Sequence, residues 1–64
     1  MIWLSESIVA SKSIKKGDKI SLTDLDFKRP GNGLPPTQWK KIVGKKSKKI
    51  INYDEQIFLK YIKT

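Results

Sequence analysis

Shifted by 37 residues, the chain falls on itself: Ile14 lands on Ile51, Asp18 on Glu55, Ile20 on Ile57, Leu22 on Leu59 and Leu25 on Ile62. Gly17 lands on Asp54, another residue at home in turns, and Ala10 on Ser47. Matches in register of this kind, in a chain of 64 residues, point to two related lobes about a pseudo-twofold axis. Each lobe reads as strands, a turn and a helical stub. The expected fold is therefore mainly β with short one-turn helices, compact and with little room for a cavity of its own.

In chain order, Met1 to Glu6 reads as a leader or linker remnant without periodicity, expected to be partly mobile, and residues 7–64 as the domain. Ser7-Ile8-Val9-Ala10 is an apolar, β-branched strand candidate. Ile14 to Ile20 places a turn between two isoleucines, with Gly17 free to take positive φ. Ser21 to Leu25 reads as one helical turn, with Ser21 as N-cap, Asp24 in the first turn, and Leu22 and Leu25 facing one core. Leu34 to Gly44 predicts the best helix of the chain. Pro36 suits its first position, Pro35 its cap, and Leu34 and Trp39 a hydrophobic staple. Trp39, Ile42 and Val43 form the apolar stripe, and Gly44 the stop.

Between the lobes runs Phe27-Lys28-Arg29-Pro30-Gly31-Asn32-Gly33-Leu34-Pro35-Pro36, which holds all 3 prolines and two of the 4 glycines. It also holds the sole arginine among 14 basic residues. Arginine presents a planar fork of donors that lysine cannot copy. Pro30 has a fixed φ and biases Arg29 toward extended backbone. Gly31 suits the positive φ that follows proline in a type II turn. Arg29 is thus expected on a stiff stalk, exposed and aimed at a ligand. The opposing reading is that it pairs internally with Asp24 or Asp26 and merely pins a surface loop.

Composition narrows the chemistry. With no histidine and no cysteine, the chain lacks the commonest general base, a thiolate metal site and a disulfide. Catalysis by this chain alone is not expected. No apolar run reaches the length of a membrane span. The net charge of +8 raises the question of nucleic acid, and Lys40, Lys41, Lys45, Lys46, Lys48 and Lys49 are the densest cluster. Base reading, however, usually adds arginines or exposed aromatics, and here Arg29 lies elsewhere while Trp39 reads as core. No nucleic-acid or membrane partner is expected, and the lysines read as a solvated surface.

The order Ser7-Ile8-Val9-Ala10, Ile14-Lys15-Lys16-Gly17-Asp18, Thr23-Asp24-Leu25, Lys28-Arg29-Pro30-Gly31-Asn32-Gly33, Trp39 and Val43-Gly44-Lys45 resembles the C-terminal SAF domain of bacterial sialic acid synthases. That domain is also similar to type III antifreeze proteins. The resemblance spans Glu6 to Ile62. Its most specific part is the run from Lys28 to Gly33 with the spaced Trp39 and Gly44. Glu6 departs from the basic residue common before the first strand, and Leu34 from a more frequent isoleucine.

The resemblance implies a β-clip fold with pseudo-twofold symmetry. It implies a substrate-capping domain of a cytoplasmic synthase that condenses phosphoenolpyruvate with an N-acetylated amino sugar. The catalytic TIM barrel of that enzyme, with its divalent metal, is absent from these residues. The partners implied are the barrel of the same enzyme and that of its dimer partner, over which this domain reaches. By resemblance Arg29 touches the sugar, with Lys28, Gly31 and Gly33 beside it, and no catalytic residue, metal ligand or cofactor site falls in this domain. An alternative is a SAF module of another protein, of the sugar-acid dehydratase or pilus or flagellar chaperone type, against which the run from Lys28 to Gly33 argues. Ice binding is disfavoured because Lys12, Lys15, Lys16 and Lys19 crowd the corresponding face.

Overall fold

The computed structural model describes residues 6–63; the rest of the expected leader lies outside them. Four short strands alternate with three turns of 3₁₀ helix: β1 (Ser7–Ala10), a turn Leu22–Asp24, β2 (Leu25–Lys28), a turn Pro36–Lys41, β3 (Lys46–Ser47), a turn Leu59–Tyr61 and β4 (Ile62–Lys63). β1 is buried along its whole length, as its apolar β-branched sequence requires. It pairs antiparallel with β2, Ile8 opposite Phe27 and Ala10 opposite Leu25. On its other side Val9 bridges to Gln56. β3 and β4 form a second antiparallel ribbon, with Lys46 opposite Lys63 and Ser47 opposite Ile62.

Hydrogen bonds recur at the 37-residue offset seen in the sequence. Gly17 N–H donates to Ser47 O and Asp54 N–H to Ala10 O, each at 2.8 Å. Ser47 N–H to Asp18 O, 3.0 Å, is matched by Ala10 N–H to Glu55 O, 2.9 Å. Ile20 N–H to Lys45 O is matched by Ile57 N–H to Ile8 O. Ile14 and Ile51 exchange both bonds, at 2.7 and 2.8 Å. The turns follow suit, Gly17 at φ 87 and Asp54 at φ 68. An aspartate tolerates this left-handed backbone better than most side chains.

Between the ribbons lies a core of Ile8, Ala10, Ile14, Ile20, Leu25, Ile42, Ile51, Ile57 and Ile62, with Phe27, Leu34, Trp39, Val43 and Tyr61 packed on its flanks. Burying a side chain of isoleucine size is worth roughly 1.5–3 kcal/mol each, and among the described residues this cluster is the main store of stability.

Three expectations change. The helix foreseen over 34–44 is a six-residue 3₁₀ turn capped by Pro35 with Pro36 in its first turn. Its bonds run i to i+3, Gln38 N–H to Pro35 O and Ile42 N–H to Trp39 O, with one i to i+4 bond at its end, Val43 N–H to Trp39 O, before Gly44, at φ 86, donates to Ile20 O instead. An i, i+3 stripe serves a 3₁₀ turn as well as an α-helix, and the return to the other lobe stops it early. Leu22 does not join Leu25 in the core but is half-exposed, as is its counterpart Leu59; a stub one turn long buries only its C-terminal end. Finally, the described residues at positive φ are Gly17, Gly44 and Asp54, not Gly31, and Arg29–Pro30 is a cis peptide. The bend at Pro30 is therefore not the expected type II turn.

Candidate functional site

β2 delivers Lys28 and Arg29 to the rim of the domain, and β1 anchors the loop that follows. Ser7, fully buried, opens β1 opposite Lys28. Its hydroxyl donates to Pro30 O at 2.7 Å and accepts the Gly33 N–H at 2.9 Å. One residue on, Ile8 N–H donates to Leu34 O at 2.9 Å. Three bonds from two adjacent residues of a buried strand thus hold both ends of the stretch from Pro30 to Leu34.

The other lobe supplies a second clamp. Gln56 Nε2 donates to Asn32 Oδ1 at 2.7 Å. Gly33 sits so close beneath this amide that a Cβ built on it would meet the Gln56 carboxamide, which would have to shift to make room. Lys28 Nζ donates to Asp54 Oδ1 at 2.5 Å and lies 5.4 Å from the centre of the Tyr53 ring. Its pKa is raised, chiefly by the hydrogen bond to Asp54, but both partners are well exposed and the pair adds little to stability. Its value is directional, tying β2 to the turn at Asp54.

Arg29 stands free of this strapping. It is exposed, and among the described residues the ion pairs are Lys12–Asp24, Lys28–Asp54 and Lys49–Glu55. Neither carboxylate suggested as an internal partner takes it. Asp24 is buried; its Oδ2 accepts Ser21 N–H at 2.9 Å, and its Oδ1 lies 3.1 Å from Lys12 Nζ without an aligned hydrogen bond. Burial pushes its pKa up, yet the Ser21 N–H and Lys12 outweigh it and the net shift is downward. Asp26 Oδ1 accepts the N–H of Phe27.

Of the residues singled out in the sequence, Lys28, Arg29, Gly31 and Gly33 share this loop, but in different roles. Lys28 is paired and Gly33 is wedged under Gln56, Gly31 is half-buried, and Arg29 is the one presented cation. Sequence reasoning missed Ser7 and Gln56. A small hydroxyl opening an otherwise apolar strand was the available signal for the first; nothing in the sequence marked the second. Beside the loop, Leu22, Phe27, Pro36, Thr37 and Trp39 line a shallow apolar depression of about 440 Å³. Among the described residues no three or more carboxylates converge as a metal site, and no helix is long and apolar enough to cross a membrane.

Comparison with known proteins bears on this geometry. The model of the SAF domain matches residues 5–62. An N,N'-diacetyllegionaminic acid synthase of Campylobacter jejuni is 40% identical over 52 residues, covering 81% of this chain and 16% of that protein. A pseudaminic acid synthase of the same organism is 36% identical over 53 residues, 83% of this chain and 16% of that protein. The chain thus spans about a sixth of the length of these curated relatives. Among solved structures, an antifreeze-protein-like domain of human N-acetylneuraminic acid phosphate synthase is similar with a TM-score of 0.87 at 28% identity, covering 94% of this chain and 77% of that one.

Proposed function

This chain belongs to the SAF-domain family, and from that premise we propose that it is the substrate-capping domain of a synthase of the sialic acid type. In this reading a catalytic TIM barrel elsewhere in the protein condenses phosphoenolpyruvate with an N-acetylated amino sugar. The domain lies over the barrel of the dimer partner and lends Arg29 to the sugar. The observation that carries the proposal is the pairing of a strapped loop with an unpaired guanidinium at its rim. A fixed backbone spares the ordering cost of the loop on binding, and the guanidinium fork offers several N–H donors to the hydroxyl and carbonyl oxygens of a sugar. Lys28, Gly31 and Gly33 shape the same loop and complete the contact surface. The apolar depression that includes Phe27, two residues before Arg29, supplies a surface on which a cap can rest.

The described residues offer no donor set for a divalent ion. The divalent metal implied by the resemblance would sit in the catalytic domain, and no chemical step is assigned here. The chain's part is to position the sugar and to exclude water. Positioning contacts act on kcat/KM, since misplacement of a bound reactant is costly in rate. The test is steady-state kinetics of the full-length protein carrying Arg29→Ala or Arg29→Lys. The expected result is a raised KM for the amino sugar, or a lowered kcat/KM, in both variants, with the KM for phosphoenolpyruvate moving less. Unchanged sugar kinetics in Arg29→Ala would refute the assignment.

A further inference from the structure

The lysines are not spread evenly over the described surface. Lys19, Lys46 and Lys63 occupy matching positions on three neighbouring segments: Lys46 is the register partner of Lys63, and Lys19 bridges to Lys46. Partners opposite each other in an antiparallel pairing point their side chains to the same face. Three ammonium groups are thus lined up across the ribbon, with segments about 4.8 Å apart. Beside them Lys16, Gly17, Lys46, Ser47, Lys48 and Lys63 line a cleft of about 480 Å³, and a second depression of about 250 Å³ is lined by Gly44, Lys45, Lys46 and Lys63. None of these lysines is in an ion pair among the described residues, where Lys12, Lys28 and Lys49 hold the paired carboxylates. The nearest carboxylate along the chain, Asp18, accepts the N–H of Lys15.

The backbone frame does not impose this charge. At the 37-residue offset the matching positions carry Ile8, Val9, Ser11 and Asp26 in place of Lys45, Lys46, Lys48 and Lys63, and Tyr53 in place of Lys16. Like charges set directly opposite one another destabilise a ribbon, so the arrangement costs stability until a counter-charge fills it. We propose that this lysine-lined cleft is a binding site for a chain of linked phosphates. Lysine meets a phosphate as a compact point charge, whereas reading of planar carboxylates or bases favours arginine forks and aromatic rings, and the cleft has neither. A row of ammonium groups rather than a single one suits a ligand with several adjacent anionic groups. The cleft is floored by Gly17 and Ser47, whose N–H and O join across it at 2.8 Å, so the side chains rather than backbone donors do the binding.

The probe is tripolyphosphate, titrated into the uniformly ¹⁵N-labelled 64-residue chain at constant ionic strength, with sulfate, ATP, a single-stranded oligonucleotide and polyglutamate as comparisons. Saturable amide shifts at residues 16–19, 44–48 and 63, with sulfate far weaker and ATP like tripolyphosphate, support the site. Lys46→Glu and Lys63→Glu should each weaken binding by about tenfold or more, while Lys12→Glu leaves it unchanged. Lys46→Gln, a neutral variant, should melt higher than the parent without ligand and gain less from tripolyphosphate. Shifts scattered over all lysines, no difference from sulfate, or tighter binding of the oligonucleotide or polyglutamate would overturn the proposal, as would a Lys46→Gln variant that melts lower.

Discussion

Ser7→Ala removes one oxygen atom and tests the idea that the arginine loop is strapped to the core. The Ser7 side chain is fully buried, and its hydroxyl serves Pro30 O at 2.7 Å and Gly33 N–H at 2.9 Å. Each net hydrogen bond is worth about 0.5–1.5 kcal/mol, and a group left unsatisfied in a buried place costs about 1–3 kcal/mol. Both loop groups are only partly buried, so water can repair some of the loss. The expected destabilisation is about 2 kcal/mol. For a domain of this size each 1 kcal/mol moves Tm by roughly 4–8 °C, which gives a fall of about 8–16 °C by circular dichroism. Ser11→Ala is the control: its hydroxyl makes one exposed bond, to Thr23 O, and the cost should stay within about 0.5–1 kcal/mol. Hydrogen exchange at the Gly33 amide should speed up in Ser7→Ala while the Ile14 and Ile51 amides stay protected. A Ser7→Ala variant as stable as the parent, with Gly33 exchange unchanged, would refute the reasoning.

Arg29→Ala, by contrast, should change the stability of the 64-residue chain by less than about 0.5 kcal/mol, since the side chain is exposed and unpaired; a melting point several degrees lower would make it structural. Ile51→Ala empties a fully buried position at the contact of the two lobes and should cost about 2–5 kcal/mol in chemical denaturation. Asp24 and Glu55 are both held below their ordinary pKa, Asp24 against the opposing pull of burial and Glu55 chiefly by the Lys49 hydrogen bond. Stability from both is full above the ordinary carboxylate range, near pH 4, and is lost as pH falls through their lowered values. Melting followed from pH 5 to about pH 2 should show this loss, reduced in Asp24→Asn. Superposing residues 7–25 on 44–62 in an experimental structure should relate them by an approximate twofold axis near the Ile14–Ile51 pair.

What the sequence disclosed was mostly what repeats or what a single residue type dictates. Ser7–Ala10 reads as a strand because its centre, Ile8 and Val9, is apolar and β-branched. Ile14, Ile20, Ile51 and Ile57 declare themselves by recurring at one offset. Gly17 marks a positive-φ turn, and Pro35 and Pro36 mark the start of a helical turn. Arg29 stood out as the sole arginine, and the prolines around it marked a stiff loop. The misses have one physical source: they depend on contacts between distant segments. The apolar stripe at Trp39, Ile42 and Val43 does not say that Gly44 will be taken by Ile20 O, which ends the turn early. Leu22 pairs with Leu25 by spacing, yet the stub is too short to bury both. Gly33 packs against the end of the Gln56 side chain, a contact with a distant segment. Ser7 meets its loop 23 and 26 residues away, a separation no local pattern reveals.

The central claim is that Arg29 is presented for the sugar of a neighbouring subunit. The most direct measurement is the structure of the full-length protein with its amino sugar bound, read for the distance from the Arg29 guanidinium to the sugar. A guanidinium nitrogen is expected within hydrogen-bonding distance of a sugar oxygen, about 2.7–3.2 Å, in the catalytic domain of the opposite subunit, with the Ser7 bonds to Pro30 and Gly33 kept. A bound sugar enclosed by the catalytic domain alone, with Arg29 pointing into solvent, would contradict the role proposed for Arg29.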